Sequence, residues 1–267
     1  MTHENTIKIG VFDSGVGGLT VLREMARLLP DASFVYFGDT ARCPYGPKSD
    51  TTIIRYSIEN SIFLLEQDID LLVVACHTAS ALAIDKLKTT FSIPILGMIE
   101  STIQKTCTTT RNQTIGVIGT KATIETQIYL KGIHARLQNA EVTQIPCPLF
   151  VPLVEEPPAN ENITRLIIHE YLHPFKEKKI DTLLLGCTHY PLIEQLIQEE
   201  MGPDVALVNP AACIAEAVKE IKNSLVQRKN VAQKYTLFVS DDPKRFRKTG
   251  ERFFGHPLPE VQAVASV

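Results

Sequence analysis

Two cysteines end closely similar stretches of the chain and are the first candidates for chemistry. Residues 70–80 read DLLVVACHTAS and residues 181–191 read DTLLLGCTHYP, so in each stretch an aspartate opens an aliphatic run that ends at Cys76 or Cys187. Such a run is typical of a buried strand in a parallel sheet. Because ligands bind at the carboxyl ends of these strands, we expect both thiols to lie at ligand-binding edges.

Cys187 and the nearby His189 permit three chemistries: a nucleophile with its base, a pair of metal ligands, or a thiol that moves protons. The alternative is a buried structural cysteine, which is common. Recurrence of the cysteine in both stretches, each time followed by hydroxyl and imidazole groups, favours a chemical role. Two opposed thiols suit the inversion of a tetrahedral carbon, because one can take a proton from one face while the other delivers a proton to the opposite face.

Polar neighbours are expected for both thiols. Asp13 and Ser14 follow a strand predicted at residues 8–12, which we place beside the Cys76 strand. Glu155 lies in residues 146–158, where five prolines predict a stiff loop that could bring a carboxylate to His189. The glycines of residues 13–18 (DSGVGG) let backbone N–H groups approach an anion, although neither a Rossmann nor a P-loop fingerprint is present.

A third motif, HEYLH at residues 169–173, matches the HExxH pattern of zinc proteases. Both imidazoles share a polar stripe with Arg165, Pro174 is expected to end the helix at once, and no third ligand follows. We therefore interpret this segment as an ordinary surface helix and predict no metal site.

The elements that must position these residues form an internal repeat. Residues 9–14 (IGVFDS) recur as residues 115–120 (IGVIGT), and the offsets between matched segments run from 106 (115 − 9) to 112 (205 − 93) residues. A period of this length does not fit a solenoid. The pattern predicts an α/β fold of two pseudo-symmetric α/β domains with mainly parallel central sheets and the active site in the cleft between them.

The first α/β domain is predicted to be discontinuous, over residues 1–97 and 209–267, and the second to span residues 98–208. The elements after residue 209 have no counterpart in the other half, so we expect the chain to cross back and complete the first domain. These elements are a helix at 214–225, a strand at 235–239 and a helix at 243–254. Earlier helices are predicted after residue 19 and at 54–65, 79–88 and 162–173.

Composition excludes several classes of function. A net charge of −3 gives no overall attraction to nucleic acid or to an anionic membrane, and the basic residues 244–252 are interpreted as a solvated helix face. Residues 1–8 lack signal-peptide features and no apolar run approaches about 18 residues, so we expect a cytoplasmic protein with no membrane partner. The six cysteines include no CxxC pair and are expected to be free thiols.

Several motifs together resemble a known family. The chain resembles the glutamate racemases of the cofactor-independent aspartate/glutamate racemase superfamily over residues 7–255. The resemblance is carried by FDSGVGGLTV at 12–21, GDTAR at 38–42 with PYG at 44–46, AC at 75–76 with TAS at 78–80, GVIGT at 116–120 and GCTHYP at 186–191.

The resemblance implies interconversion of L- and D-glutamate for peptidoglycan synthesis, with no cofactor or metal, by a protein that is commonly a homodimer. It implies that Cys76 deprotonates the D-isomer and Cys187 the L-isomer. Asp13, Glu155 and His189 match auxiliary acid/base residues. The residues that it places at the substrate are Asp13, Ser14, Pro44, Tyr45, Gly46, His77, Thr78, Thr120, Thr188 and His189.

The chain departs from the family pattern at two positions. His77 stands where the family usually has asparagine, and a histidine there could titrate and perturb Cys76. The alternative is a tolerated exchange, because histidine still donates one hydrogen bond. Ala122 stands where the family usually has glycine and could restrict the local backbone.

Three other functions stay open at this point. The first is a racemase or isomerase of another small acid such as aspartate. The second is a thiol hydrolase that uses Cys187 and His189. The third is a glutamate-binding protein with catalysis impaired by His77. Cys43 is expected near the site as a bystander, and Cys107, Cys147 and Cys213 are expected to be structural.

Overall fold

A computed structural model of the chain describes residues 6–222, 224–225 and 234–264. Its strands are β1 Lys8–Asp13, β2 Ser33–Gly38, β3 Leu71–Val74, β4 Ile95–Gly97, β5 Thr114–Gly119, β6 Glu141–Pro146, β7 Thr182–Gly186, β8 Ala206–Val208, β9 Tyr235–Val239 and β10 Val261–Ala263. Its α-helices are α1 Leu19–Leu28, α2 Asp50–Leu65, α3 His77–Thr90, α4 Met98–Thr109, α5 Lys121–Glu125, α6 Ile128–His134, α7 Phe150–Glu155, α8 Glu161–Lys178, α9 Glu194–Met201, α10 Pro210–Lys222 and α11 Pro243–Phe254.

The strands form two parallel sheets, which confirms the predicted fold class. The first sheet has the order β10-β9-β2-β1-β3-β4 and the second the order β6-β5-β7-β8. The order β2-β1-β3-β4 matches β6-β5-β7-β8, so the sequence repeat corresponds to a repeated topology. Strands β9 and β10 extend the first sheet beyond β2. The two outer ends of the first predicted domain, at residues 1 and 267, lie outside the described residues, and the domain boundaries stay a prediction.

The aspartate that opens each repeated stretch fixes the start of the neighbouring strand. The Asp70 carboxylate accepts a hydrogen bond from the Lys8 N–H at 2.8 Å. The Asp181 carboxylate accepts bonds from the N–H groups of Arg111 and Asn112 at 2.6 and 2.7 Å and from the Thr110 hydroxyl at 2.7 Å. Burial raises the pKa of Asp181, but these donors outweigh it and lower that pKa.

Pro174 lies inside α8, so the expectation that it ends this helix is wrong. Proline has no N–H to offer to the carbonyl four residues before it, which here belongs to Glu170. The His173 ring nitrogen Nδ1 bonds to that carbonyl at 3.1 Å instead. The helix continues to Lys178 because the Glu170 carbonyl keeps a donor.

Residues 146–158 are more regular than their prolines predict. Residues Phe150–Glu155 form α7 with Pro152 inside it, so Glu155 is the last residue of a short helix and not part of a loop. Phe150 and Val154 are both buried on one face of α7, and the Phe150 ring packs edge-on against Tyr190 at a centroid distance of 5.2 Å. Apolar contact with the core therefore overrides the proline signal.

Other boundaries also differ from the expectations. Helix α3 begins at His77, directly after Cys76, which is two residues earlier than predicted. Helix α10 begins at Pro210 and ends at Lys222, whereas a helix over 214–225 was expected. The sequence patterns missed α5, α6 and the edge strand β10. Each of these elements is eight residues or shorter, which is too short for a periodic signal.

The two sheets meet with the carboxyl ends of their central strands on the same cleft. The Thr20 hydroxyl, in α1, donates to the Thr188 carbonyl at 3.0 Å. On the other side, Arg252 in α11 donates to the Val154 carbonyl at 2.9 Å, and Arg245 pairs with Glu156 at 3.0 Å. The basic segment is therefore not only a solvated face, since it binds α7 across the cleft. In the described part of the chain every helix is too short or too polar to span a bilayer.

Substitution Asp181→Ala should lower the free energy of unfolding by about 1–3 kcal/mol, because three hydrogen-bond donors before β5 lose a charged acceptor. Urea denaturation monitored by circular dichroism measures this. Since the folded-state pKa of Asp181 is lowered, its contribution is present above the unfolded pKa and is lost as the pH falls through the folded value. The exposed Asp85→Ala variant is the control and should change stability by less than about 0.5 kcal/mol. Equal effects of the two substitutions would contradict the role of the Asp181 carboxylate as the acceptor that fixes the start of β5.

Candidate active site

Each cysteine lies immediately beyond the carboxyl end of a central strand. Cys76 follows β3 and is the N-cap residue of α3, and Cys187 follows the last residue of β7. Both thiols are buried. The Cys76 thiol donates to the Ser14 hydroxyl at 3.6 Å, and the Cys187 sulfur lies 3.8 Å from His189 Nδ1. The equivalent strands therefore place equivalent sulfurs, each with a different polar partner.

The loops around the two cysteines approach each other. The charge of Cys187 is among the influences that raise the pKa of Cys76, and the charges of His189 and Glu155 act on Asp13. A Cβ atom at Gly17 would lie 2.3 Å from Thr188 Oγ1 and 2.5 Å from His189 Nδ1. Only glycine at this position allows the loop after β1 to approach the loop after β7 so closely.

The Cys76 side of the cleft holds a protonated thiol. Burial raises the pKa of Cys76 to about 12, and the charge of Asp13 acts in the same direction. Burial likewise raises the pKa of Asp13, whose Oδ2 accepts a bond from the Gly15 N–H at 2.9 Å. Asp13 Oδ1 is buried with no hydrogen-bond partner among the described residues. Near neutral pH this side therefore offers a proton on sulfur and one open carboxyl oxygen.

The Cys187 side holds a charged imidazole. Burial lowers the pKa of His189, but its hydrogen bonds with Cys187 and Glu155 outweigh burial and raise that pKa to about 10. His189 Nε2 bonds to Glu155 Oε1 at 2.9 Å, and this bond lowers the pKa of Glu155. Glu155, His189 and Cys187 thus form a chain that places a positive charge beside the sulfur. The sequence predicted the approach of Glu155 to His189, although from a loop.

His77 is a neutral residue at the start of α3. It is buried, neither ring nitrogen has a partner among the described residues, and burial lowers its pKa to about 3. The ring lies 6.4 Å from the Tyr129 ring, centroid to centroid. His77 therefore does not titrate near neutral pH, and the perturbation of Cys76 considered from the sequence does not arise there.

The loop after β2 is fixed by a buried carboxylate, that of Asp39. Arg42 Nε donates to both Asp39 oxygens at 2.9 and 2.7 Å, and the Tyr45 hydroxyl also donates to Asp39. Asn60 Nδ2 donates to the Tyr45 hydroxyl at 3.0 Å. Tyr45 therefore offers its backbone, but not its hydroxyl, to the cleft. A Cβ atom at Gly46 would lie 3.7 Å from the Thr120 Cβ, so this loop faces the second half.

Hydroxyl groups line the meeting point of the two halves. Thr78 Oγ1, in α3, lies 3.1 Å from Thr120 Oγ1, which caps α5 by accepting a bond from the Thr123 N–H. Thr123 also contacts both hydroxyls and was not predicted. Its only sequence signal is its place three residues after an N-cap threonine. Ala122 is an ordinary residue of α5, so the helix accommodates alanine at this position.

A cavity of about 460 Å³ is lined in part by Gly15, Cys43, Pro44 and Glu155, of which Glu155 bonds to His189. A second opening of about 350 Å³ lies on the other side of the Pro44–Gly46 loop, against α5. Both volumes lie within the usual range of small-molecule sites. Among the ten residues expected at the substrate, the structure brings Thr78 to Thr120 and Thr188 to His189, and it places Ser14 beside Cys76. Substrate contact by the ten residues stays a prediction.

The other chemical candidates lie outside this constellation. His169 is exposed on α8 and bonds to Glu200 at 3.0 Å. Within residues 6–222, 224–225 and 234–264, no group of three or more His, Cys, Asp or Glu side chains is arranged to hold a metal ion. All six cysteines are free thiols. Cys43 borders the cavity, as expected, and burial raises its pKa, which makes it a poor nucleophile.

Comparison with known proteins decides the family. The family model described as Asp/Glu/Hydantoin racemase matches residues 9–218. The chain belongs to this racemase family. A curated relative, the glutamate racemase of Geobacter metallireducens, is 46% identical over 259 residues, which are 96% of each chain.

Solved structures of racemases are also similar. The glutamate racemase isoform RacE1 of Bacillus anthracis superposes with a TM-score of 0.91 at 36% identity, with 97% of each chain covered. The glutamate racemase of Francisella tularensis, solved in complex with D-glutamate, has a TM-score of 0.89 at 35% identity, again with 97% of each chain covered. These racemases share the complete two-sheet fold described above.

The imidazole of His189 should remain protonated through neutral pH. Nitrogen NMR of the labelled ring should show no titration between about pH 6 and 8, because its pKa is raised to about 10. Glu155→Gln removes the ionised partner and should lower that pKa. Titration of His189 near pH 6.5 in the unsubstituted protein would contradict the charge assigned to it.

Proposed function

We propose that this protein interconverts L- and D-glutamate by moving a proton between the α-carbon and two cysteine thiols. The observation that carries the proposal is the pair of buried sulfurs at the ends of equivalent strands, facing one cleft, each with its own acid/base partner. Family membership and relatives named as glutamate racemases support the substrate.

The conversion of L-glutamate starts on the Cys187 side. Positive charge on His189 stabilises a Cys187 thiolate, which takes the α-proton and leaves the electron pair on carbon. Cys76 holds its proton at neutral pH and delivers it to the opposite face of the carbon. The new C–H bond replaces the one that broke, the configuration is inverted, and the two sulfurs have exchanged protonation states.

The conversion of D-glutamate uses the same groups in the opposite order. Cys76 must then be a thiolate, and two groups favour that form in the absence of a cation: the Ser14 hydroxyl and the Ala79 N–H. We assign to the Asp13 oxygen that has no partner among the described residues the role of accepting a proton or binding the ammonium group of the substrate. Asp13 and Cys76 thus act on one face of the α-carbon, and Cys187 and His189 act on the opposite face.

Stabilising the carbanion is the larger energetic task. Deprotonation of the α-carbon spreads negative charge into the α-carboxylate, so donors aimed at that group lower the barrier. The hydroxyls of Thr78, Thr120 and Thr188 supply such donors, together with the free N–H groups at the start of α3. His77, neutral and buried, is proposed to contact the substrate as a hydrogen-bonding group.

Further parts of the proposal follow the resemblance. Proton transfer between thiols and carbon needs no cofactor and no metal. We place the enzyme in the cytoplasm, as a homodimer that supplies D-glutamate for peptidoglycan synthesis. The exposed aliphatic side chains of Ile163 and Leu166, neighbours on α8, offer surface for such an assembly. The remaining substrate contacts proposed are Ser14, the backbone of Pro44, Tyr45 and Gly46, and Thr188.

Both cysteines should be essential for racemisation. Cys76→Ser and Cys187→Ser should each reduce racemisation of glutamate by about 10²–10⁴-fold, because each removes one of the two proton-transfer groups. Circular dichroism of glutamate measures inversion, and proton NMR in deuterated water measures exchange at the α-carbon. Each variant should still exchange the α-proton of the isomer that faces its remaining thiol, without inversion.

Cys107→Ser is the matched control, since this half-buried thiol lies on α4 away from the cleft, and it should keep full activity. A thiol hydrolase would lose activity on Cys187→Ser alone and would form a covalent acyl intermediate. A binding protein would bind glutamate with no exchange. Faster exchange and inversion of aspartate than of glutamate would assign the rival substrate.

A further inference from the structure

Three threonine hydroxyls form a triangle where the two halves meet. Thr78 Oγ1 belongs to the first half, and Thr120 and Thr123 belong to the second. The oxygens of Thr78 and Thr120 lie 3.1 Å apart, those of Thr120 and Thr123 lie 2.9 Å apart, and those of Thr78 and Thr123 lie 3.4 Å apart. Thr78 and Thr123 are buried, whereas Thr120 is half-buried at the edge of the cleft.

The number of protons limits what this triangle can do. Each hydroxyl has one proton to donate and two lone pairs to accept with. Thr120 Oγ1 already accepts a bond from the Thr123 N–H at 3.3 Å. If the Thr123 hydroxyl also donates to Thr120, both lone pairs of Thr120 are occupied, and its own proton must point away from Thr123. The directions left for that proton are Thr78 and the cleft.

Burial leaves the Thr123 hydroxyl few choices. Its exposed fraction is 1%, and the oxygens of Thr78 and Thr120 are the hydrogen-bond partners described for it. It cannot reach solvent, so its proton serves one of these two hydroxyls. An anion in the cleft would attract the protons of Thr78 and Thr120. The Thr123 hydroxyl would then donate its proton to the oxygen of one of these two residues.

We propose that Thr123 is a positioning residue that fixes the Thr120 hydroxyl as a hydrogen-bond donor to a carboxylate of the substrate. The inference rests on the proposed function, in which Thr120 contacts glutamate. Without the Thr123 hydroxyl, Thr120 regains a free lone pair and can turn its proton elsewhere. Thr123 therefore acts on substrate affinity through Thr120 and takes no part in proton transfer at carbon.

The test compares Thr123→Val, which replaces the hydroxyl by a methyl group, with Thr123→Ser, which keeps the hydroxyl. Thr123→Val should raise KM for glutamate about tenfold, as expected for a weakened hydrogen bond to a charged group, and should change kcat less than about twofold. Thr123→Ser should stay within about twofold of the parent in both constants. Thr123→Ala serves if the valine variant does not fold, and it should match the valine variant.

A double-mutant cycle separates positioning from packing. If Thr123 acts through Thr120, the double variant Thr120→Ala with Thr123→Ala should have the KM of Thr120→Ala alone. Thr106→Val is the matched control: the hydrogen bond described for the hydroxyl of this buried threonine stays within its own helix, at the Thr102 carbonyl, and its loss should leave KM unchanged.

Two results would overturn the inference: an unchanged KM in Thr123→Val and Thr123→Ala, or additive effects in the cycle. A serine variant as impaired as the valine variant would also overturn it, because the methyl group would then be what matters. Failure of the parent protein to exchange the α-proton of glutamate would instead reject the proposed function itself, so the two failures are distinguishable.

Discussion

Burial of ionisable groups between two sheets is the constraint on which the site depends. A thiolate, carboxylate or imidazolium away from water is costly unless a partner stabilises its charge. Cys76 has weak partners and stays protonated, whereas His189 is held between Glu155 and Cys187 and stays charged. The protonation states of the cleft are therefore set by local packing and hydrogen bonding.

This constraint makes the two halves chemically different although their topology is the same. Cys76 after β3 and Cys187 after β7 occupy equivalent positions, but the loops around them differ. On one side the Cys76 thiol donates to the Ser14 hydroxyl; on the other side the Cys187 sulfur lies beside the His189 imidazole, which bonds to Glu155. A reaction that proceeds in both directions through opposite faces of a carbon needs this combination of like geometry and unlike charge.

The sequence predicted the parts of this arrangement that depend on repeated local patterns. The aliphatic runs ending at Cys76 and Cys187 predicted the central strands, and the long period predicted the repeated topology. The sequence-based predictions failed where tertiary contacts override local rules. Pro174 stays in α8 because an imidazole replaces its missing donor, and Glu155 ends a helix because Phe150 packs into the core. Thr123 and the buried hydroxyl of Tyr45 could not be assigned, because their roles depend on partners distant in sequence.

The central claim is that both sulfurs address one carbon from opposite sides. A crystal structure of the protein with D-glutamate bound measures this most directly. The account predicts that the sulfurs of Cys76 and Cys187 each lie within about 3.5 Å of the α-carbon, on opposite faces of it. A bound glutamate whose α-carbon contacts only one of the two sulfurs, or neither, would contradict it.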